Sequence, residues 1–146
     1  MTLQQWTANG WLRPHTTSRR EIGDLLAAAE RDIRDAKKDL SPDWAFNIAY
    51  NAARSLCTVA LYAAGYRAER DSNHYYTIGA LGYILGSDAG DLPRLLESCR
   101  KKRNIATYES VGAVSADEAN ELLHAAAELR GKVIRWLTAE HGELLH

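Results

Sequence analysis

The sequence predicts an all-α protein, an up-and-down bundle of about five helices, and three observations carry that expectation. Apolar residues recur at helical spacing through most of the chain, residues that cap helices stand where those runs begin, and strand-like alternation of useful length is missing. The 146 residues suit one domain, long enough to bury about two thirds of the surface of the unfolded chain without metals or disulfides.

Taken in order, residues 1–17 read as an arm carrying Leu3, Trp6, Trp11 and Leu12 without a sustained period, broken at Pro14 and tucked against a bundle domain of residues 18–146. Ser18 with Glu21 has the pattern of a capping box, and Ile22, Leu25, Leu26, Ala29, Ile33 and Ala36 follow on one helical face. Ser41-Pro42 reads as an N-cap and first helical position, opening a helix that runs to Gly65. A third helix is expected from about His74 to Leu85, stopping near Gly86. Its internal Gly79 and Gly82 each cost about 1 kcal/mol relative to alanine, so they imply close approach of another backbone. The fourth starts at Asp91 with Leu92, Leu95, Leu96 and Cys99 on one face. The fifth opens with the Ser115/Glu118 capping box and carries Ala119, Leu122, Leu123, Ala126, Leu129, Val133 and Leu137.

Composition narrows the function classes. The net charge of −1 gives no global pull toward nucleic acid or membranes, so attraction to an anion must be local. No window reaches 18 uncharged apolar residues, which removes a membrane span, and the first residues lack the basic-then-apolar order of a secretion signal. A cytoplasmic protein is the expectation. Cys57 and Cys99 fall in apolar helical runs and read as buried free thiols. The histidines, His15, His74, His124, His141 and His146, have no zinc-ligand spacing with them, so neither metal nor cofactor is expected. Phosphate-binding glycine loops and nucleophile-elbow motifs are missing as well.

Two features could carry function. In the apolar second helix, Asn47, Asn51, Arg54, Thr58 and Tyr62 follow steps of four, three, four and four. That stripe is either the helix's narrow wet face or the lining of a cleft or subunit interface. The second feature is Arg100-Lys101-Lys102-Arg103, the densest basic run, followed by Asn104, Ile105, Ala106, Thr107 and Tyr108. Arg100, Lys101 and Lys102 could dock the phosphate backbone of a nucleic acid, or the run could complement a helix end. Arg103 continues the buried stripe of Leu92, Leu96 and Cys99. It therefore needs an internal partner, a route to solvent, or a phosphate in a cleft.

The run Arg103-Asn104-Ile105-Ala106-Thr107-Tyr108 resembles the signature of the HEPN family: an arginine, four to six variable residues and a histidine, commonly with asparagine directly after the arginine. The alanine-rich Ala49–Arg54 segment through Gly65, the apolar run after His74, and Ser115 to Leu137 are similar to that family's other helices. The resemblance covers about Ser18 to Leu137. It departs where Tyr108 replaces the histidine; a non-toxin branch is similar in reading arginine, two residues, alanine, one residue, tyrosine, matched by Arg103, Ala106 and Tyr108.

The resemblance implies a HEPN-like bundle that forms a homodimer around this motif and belongs to a toxin–antitoxin, defence or RNA-processing system. For the family's nucleases it implies metal-independent RNA cleavage, with arginine stabilising the phosphorane and histidine moving protons. Arg103, Asn104 and Tyr108 are the corresponding catalytic candidates. Tyrosine, with a pKa near 10, is a poor base at neutral pH, so an RNA- or partner-binding protein with weak or absent nuclease activity is expected. Two alternatives follow: an active ribonuclease toxin, and a scaffold for an antitoxin or a small nucleotidyltransferase, with Tyr108 as the residue modified. On a straight helix Arg103 and Tyr108 lie about 140° apart, so they share a site only through a helix break or a second subunit. The apolar second helix and four tryptophans independently favour a dimer.

Overall fold

In the computed structural model the described residues are 2–70, 73–108 and 112–145, with the side chains of 105–108 excepted. The chain is mostly helical, as expected, and its helices form a bundle. The arm contributes α1 (Leu3–Ala8) and a short strand, β1 (Leu12–Pro14). The bundle then follows as α2 (Arg19–Ala36), α3 (Pro42–Ala63), a second strand β2 (Tyr66–Ala68), α4 (Asn73–Gly79), α5 (Leu81–Leu85), a 3₁₀ turn at Gly86–Ala89, α6 (Leu92–Tyr108), α7 (Ala116–Glu140) and a last 3₁₀ turn at Gly142–Leu144.

The capping chemistry explains the helix starts. Ser18, Ser41 and Ser115 each accept a backbone N–H from the third residue beyond, satisfying a donor that the first helical turn leaves open. The Ser115/Glu118 box is complete, with Glu118 returning a bond to the Ser115 N–H. At Ser18 it is not: Glu21 instead receives His15 and the Thr17 hydroxyl, both at 2.7 Å, and so ties the arm to α2. Pro42 occupies the first turn of α3, and Gly65 follows its end with φ of 99°.

α3 is the central helix and packs chiefly against α2 and α7. Its buried face is rich in alanine (Ala49, Ala52, Ala53, Ala60), which lets the helix axes come close, with Phe46, Leu56 and Val59 filling the remaining space. α2 supplies Ile22, Leu26, Ala29 and Ile33, and α7 supplies Leu122, Ala126, Leu129, Val133 and Leu137. Cys57 and Cys99 are buried and unpaired; burial pushes their thiols up to about 12 and about 11, so neither is a nucleophile at neutral pH.

The arm carries a short strand that the sequence does not mark, and two expectations about the third helix are corrected. β1 pairs antiparallel with β2, Leu12 opposite Ala68 and Pro14 opposite Tyr66. Each strand has three residues and the partners lie more than fifty positions apart, so neither alternation nor a hairpin turn marks them. The third helix is interrupted at Ala80, giving α4 and α5. Gly79 there admits a ring rather than a backbone, since a Cβ on it would lie 3.2 Å from Cη2 of Trp6.

Candidate functional site: an arginine cluster between α3, α4 and α6

One face of α3 meets α4 and α6 through polar groups. Asn47, Tyr50 and Arg54, at steps of three and four, project from the same side of α3. Arg103 of α6 donates its Nε–H to Asn47 Oδ1 at 2.9 Å, and its guanidinium carbon lies 5.2 Å from the centre of the Tyr50 ring. Arg54 donates an Nη1–H to His74 Nε2 of α4 at 2.8 Å, and the His74 ring lies 6.2 Å from that of Tyr50. Tyr50 is thus the floor on which the two sides of the cluster meet. Among the described residues, no carboxylate pairs with Arg54 or Arg103.

Arg100 stands one helical turn before Arg103. Glu97 accepts its Nε–H and an Nη2–H at 2.9 and 2.7 Å, and the guanidinium carbon lies 5.7 Å from the centre of the Tyr75 ring. The bond to Glu97 holds the Arg100 pKa above its ordinary value. A polar hollow of about 260 Å³ extends from the cluster along α3, lined by Arg54, Ser55, Thr58, Arg67, Asn73 and His74 among others.

The electrostatics follow from this crowding of donors. Burial first, then the positive charges of Arg54, Arg103 and Arg100, hold His74 below the ordinary imidazole pKa. His74 is therefore neutral at pH 7. Because Nε2 accepts from Arg54, the ring proton sits on Nδ1. Burial pushes the Tyr50 phenol up to about 12, against the pull of Arg103, Arg54 and Arg100, so it stays a hydroxyl. Arg54, Arg100, Arg103, Asn47 through its amide N–H groups, and the His74 Nδ1–H are all donors. Such a set is suited to an anion with several acceptor oxygens.

The depressed His74 pKa gives a prediction with a definite sign. In the unliganded chain the unfolded state takes up this proton more readily. The resulting stability is present above about pH 6.5 and falls as pH drops below it. An anion bound among these donors would offset the arginine charges and favour the imidazolium, so its binding would take up a proton. Affinity for inorganic phosphate, measured by isothermal titration, is expected to rise several-fold between about pH 7.5 and pH 5.5, and His74→Gln to flatten that rise.

The structure separates the residues singled out from sequence. Of the stripe on α3, Asn47 and Arg54 enter the cluster; Asn51 is half-buried with no side-chain hydrogen bond among the described residues, and Thr58 bonds back to the Arg54 carbonyl at 2.9 Å. All five members of that stripe are half-buried. Successive helical residues turn by about 100°, so the basic run is not one patch. Arg100 and Arg103 face α3 and α4, Lys102 lies 3.4 Å from Glu118 on α7, and Lys101 is exposed. Asn104 is exposed. α6 continues unbroken through Tyr108, so no helix break turns Tyr108 toward Arg103, and the Tyr108 side chain lies outside the described residues. His124 is exposed on α7.

Tyr50 and His74 were not legible as site residues. Tyr50 continues the spacing from Asn47 to Arg54, a signal hidden by its resemblance to the surrounding core positions. His74 lies 20 residues from Arg54 and 29 from Arg103, and only the fold of the chain brings it in.

Among the described residues no group of three or more histidine, cysteine or acidic side chains could hold a metal, and no helix is long and apolar enough to cross a membrane. Comparison of the chain with protein-family models, curated proteins and solved structures gives no match in any of the three.

Proposed function

We propose that this chain is an RNA-binding, HEPN-type helical protein that acts as a homodimer and docks a phosphodiester on Arg103, Arg54 and Arg100. The observation that supports this reading is the Arg103 guanidinium, half-buried, oriented by Asn47 and Tyr50 and left without a carboxylate among the described residues. Arginine placed so for stability alone would be expected to pair with an acid, because an unmatched cation in a cleft is costly to desolvate. Binding without efficient cleavage fits the His74 lone pair, which is occupied by Arg54 and so is withheld from proton abstraction. The homodimer belongs to the same reading: the exposed Trp44, 62% accessible, and Leu40 four residues before it offer apolar side chains to a second copy.

Titration of a labelled oligouridylate at several salt concentrations tests the site. Arg54→Ala and Arg100→Ala are expected each to weaken binding and reduce the salt slope by about one unit or less, while Lys102→Ala, on the α7 side, leaves it nearly unchanged. Equal effects from all three would make the attraction diffuse and remove the site. Light scattering on the same sample is expected to give twice the 16.2 kDa of the chain; a mass of one chain sinks the dimer.

A second reading, metal-independent ribonuclease, is favoured by one observation: His74 and Arg103 flank the same Tyr50 ring. If Arg54 releases His74 when RNA binds, the imidazole could deprotonate a 2′-hydroxyl while Arg103 holds the phosphorane. Formation of 2′,3′-cyclic phosphate ends, lost in His74→Gln with binding retained, would establish it in place of the binding role.

A further inference from the structure

A second hollow, of about 570 Å³, opens beside the arginine cluster, lined by Trp6, Trp11, Tyr75, Tyr76, Tyr83 and Glu97 among others. Its aromatic members brace one another. Trp6 meets Trp11, Tyr76 and Tyr83 edge-on at 5.9, 5.6 and 5.1 Å, and Trp11 stacks on Tyr76 at 5.2 Å with planes 14° apart. Tyr75 and Tyr83 stand at the rim, about half exposed, with 50% and 47% of their surface accessible. Five aromatic rings around one open space exceed what a satellite core of this size needs to close itself.

The hollow is joined to the cluster by shared residues. Tyr75, on its rim, lies under the Arg100 guanidinium, and Glu97, in its wall, accepts both Arg100 N–H bonds. A ligand held here would carry a flat, neutral, π-faced part next to an anionic part. An aromatic cage with one acid also suits an ammonium group. Here, however, the acid is already paired with Arg100, and Arg103, one helical turn further along α6 and without a carboxylate among the described residues, repels another cation.

We infer that this hollow takes a nucleobase of single-stranded RNA, stacked against Tyr83, while the adjoining phosphate sits on Arg100 and Arg103. The inference rests on the proposed RNA-binding role and adds the base-binding half of the site. Glu97 uses one lone pair of each oxygen on Arg100 and keeps others to accept an exocyclic amine, which favours adenine or cytosine over uracil.

Two probes of equal charge separate the halves: an oligoadenylate and an abasic oligomer of the same length, each titrated while tryptophan fluorescence is followed. The oligoadenylate is expected to bind about tenfold more tightly and to quench fluorescence, as base–aromatic stacking does. Tyr83→Ala should remove about that tenfold and leave the abasic oligomer unaffected, and Tyr83→Phe should restore it, since stacking needs the ring and not the hydroxyl. Equal affinities for the two oligomers would overturn the base pocket while leaving phosphate docking intact. Failure of both to bind would overturn the RNA role and this inference with it. Quenching by tetramethylammonium at matched ionic strength would assign the hollow to a cation instead. A Tyr83→Ala variant that lost dimer mass rather than adenylate affinity would assign it to a second copy of the chain.

Discussion

Arg103→Ala is expected to weaken binding of single-stranded RNA by about ten- to hundredfold, the range for removing a charge-assisted contact from a preorganised site. The loss should appear for every sequence tested, because a phosphate contact carries no base information. Arg103→Lys keeps the charge but gives up the planar fork, which both bonds Asn47 and lies over Tyr50, and is expected to recover only a small part of the affinity. Neighbouring Tyr50 separates electrostatics from packing. Its hydroxyl is buried and has no hydrogen-bond partner among the described residues. Tyr50→Phe, which removes that orphaned group and keeps the ring under Arg103, is therefore expected to be neutral or slightly stabilising and to bind RNA normally. Tyr50→Leu removes the ring and should lower affinity along with Arg103→Ala. Isothermal titration of the four variants, with thermal unfolding as the control for folding, checks the set. Full affinity in Arg103→Ala would remove the cluster from the binding role.

What the sequence made legible, and what it hid, divides along range. The starts of α2, α3 and α7 are written locally, in a serine followed three residues later by the N–H that it caps, and all three appear where expected. Arg103 is legible as well, because an inward-facing arginine on α6 breaks an otherwise apolar stripe. Its partner was not. The choice between an acid, solvent and a cleft depends on what α3 presents at Asn47 and Tyr50, 56 and 53 residues away. The same limit hid the ribbon of β1 and β2, whose six paired residues gain stability only from the contact between them. Periodicity also overcounted the cations. Four in a row look like one patch on paper, whereas the helix points Lys102 at α7 and Arg100 at α4. Local rules thus specify where helices begin, while the site arises where α3, α4 and α6 meet.

The largest expected loss of stability comes from the arm. Trp6→Ala should cost about 3–5 kcal/mol in chemical denaturation, the range for emptying a buried tryptophan site. α1 has six residues, too short to hold itself even with the complete Thr2/Gln5 capping box. What fixes it is Trp6, 9% exposed, in a satellite core with Leu12, Leu61, Ala68 and Ala80. Its ring leans on Gly79, where a Cβ would stand 3.2 Å from Cη2. Two opposing effects then meet in Gly79→Ala. Alanine gains up to about 1 kcal/mol of helix propensity over glycine, less at this last position of α4, but with Trp6 present its methyl must displace the indole by a few tenths of an ångström. The substitution is expected to be neutral or destabilising in the wild-type chain and stabilising once Trp6 is replaced by leucine, which vacates that space. A double-mutant cycle reads the coupling directly. Gly79→Ala effects of the same size and sign in both backgrounds would show that the ring does not rest on Gly79. The arm would then be held by the ribbon of β1 and β2 instead.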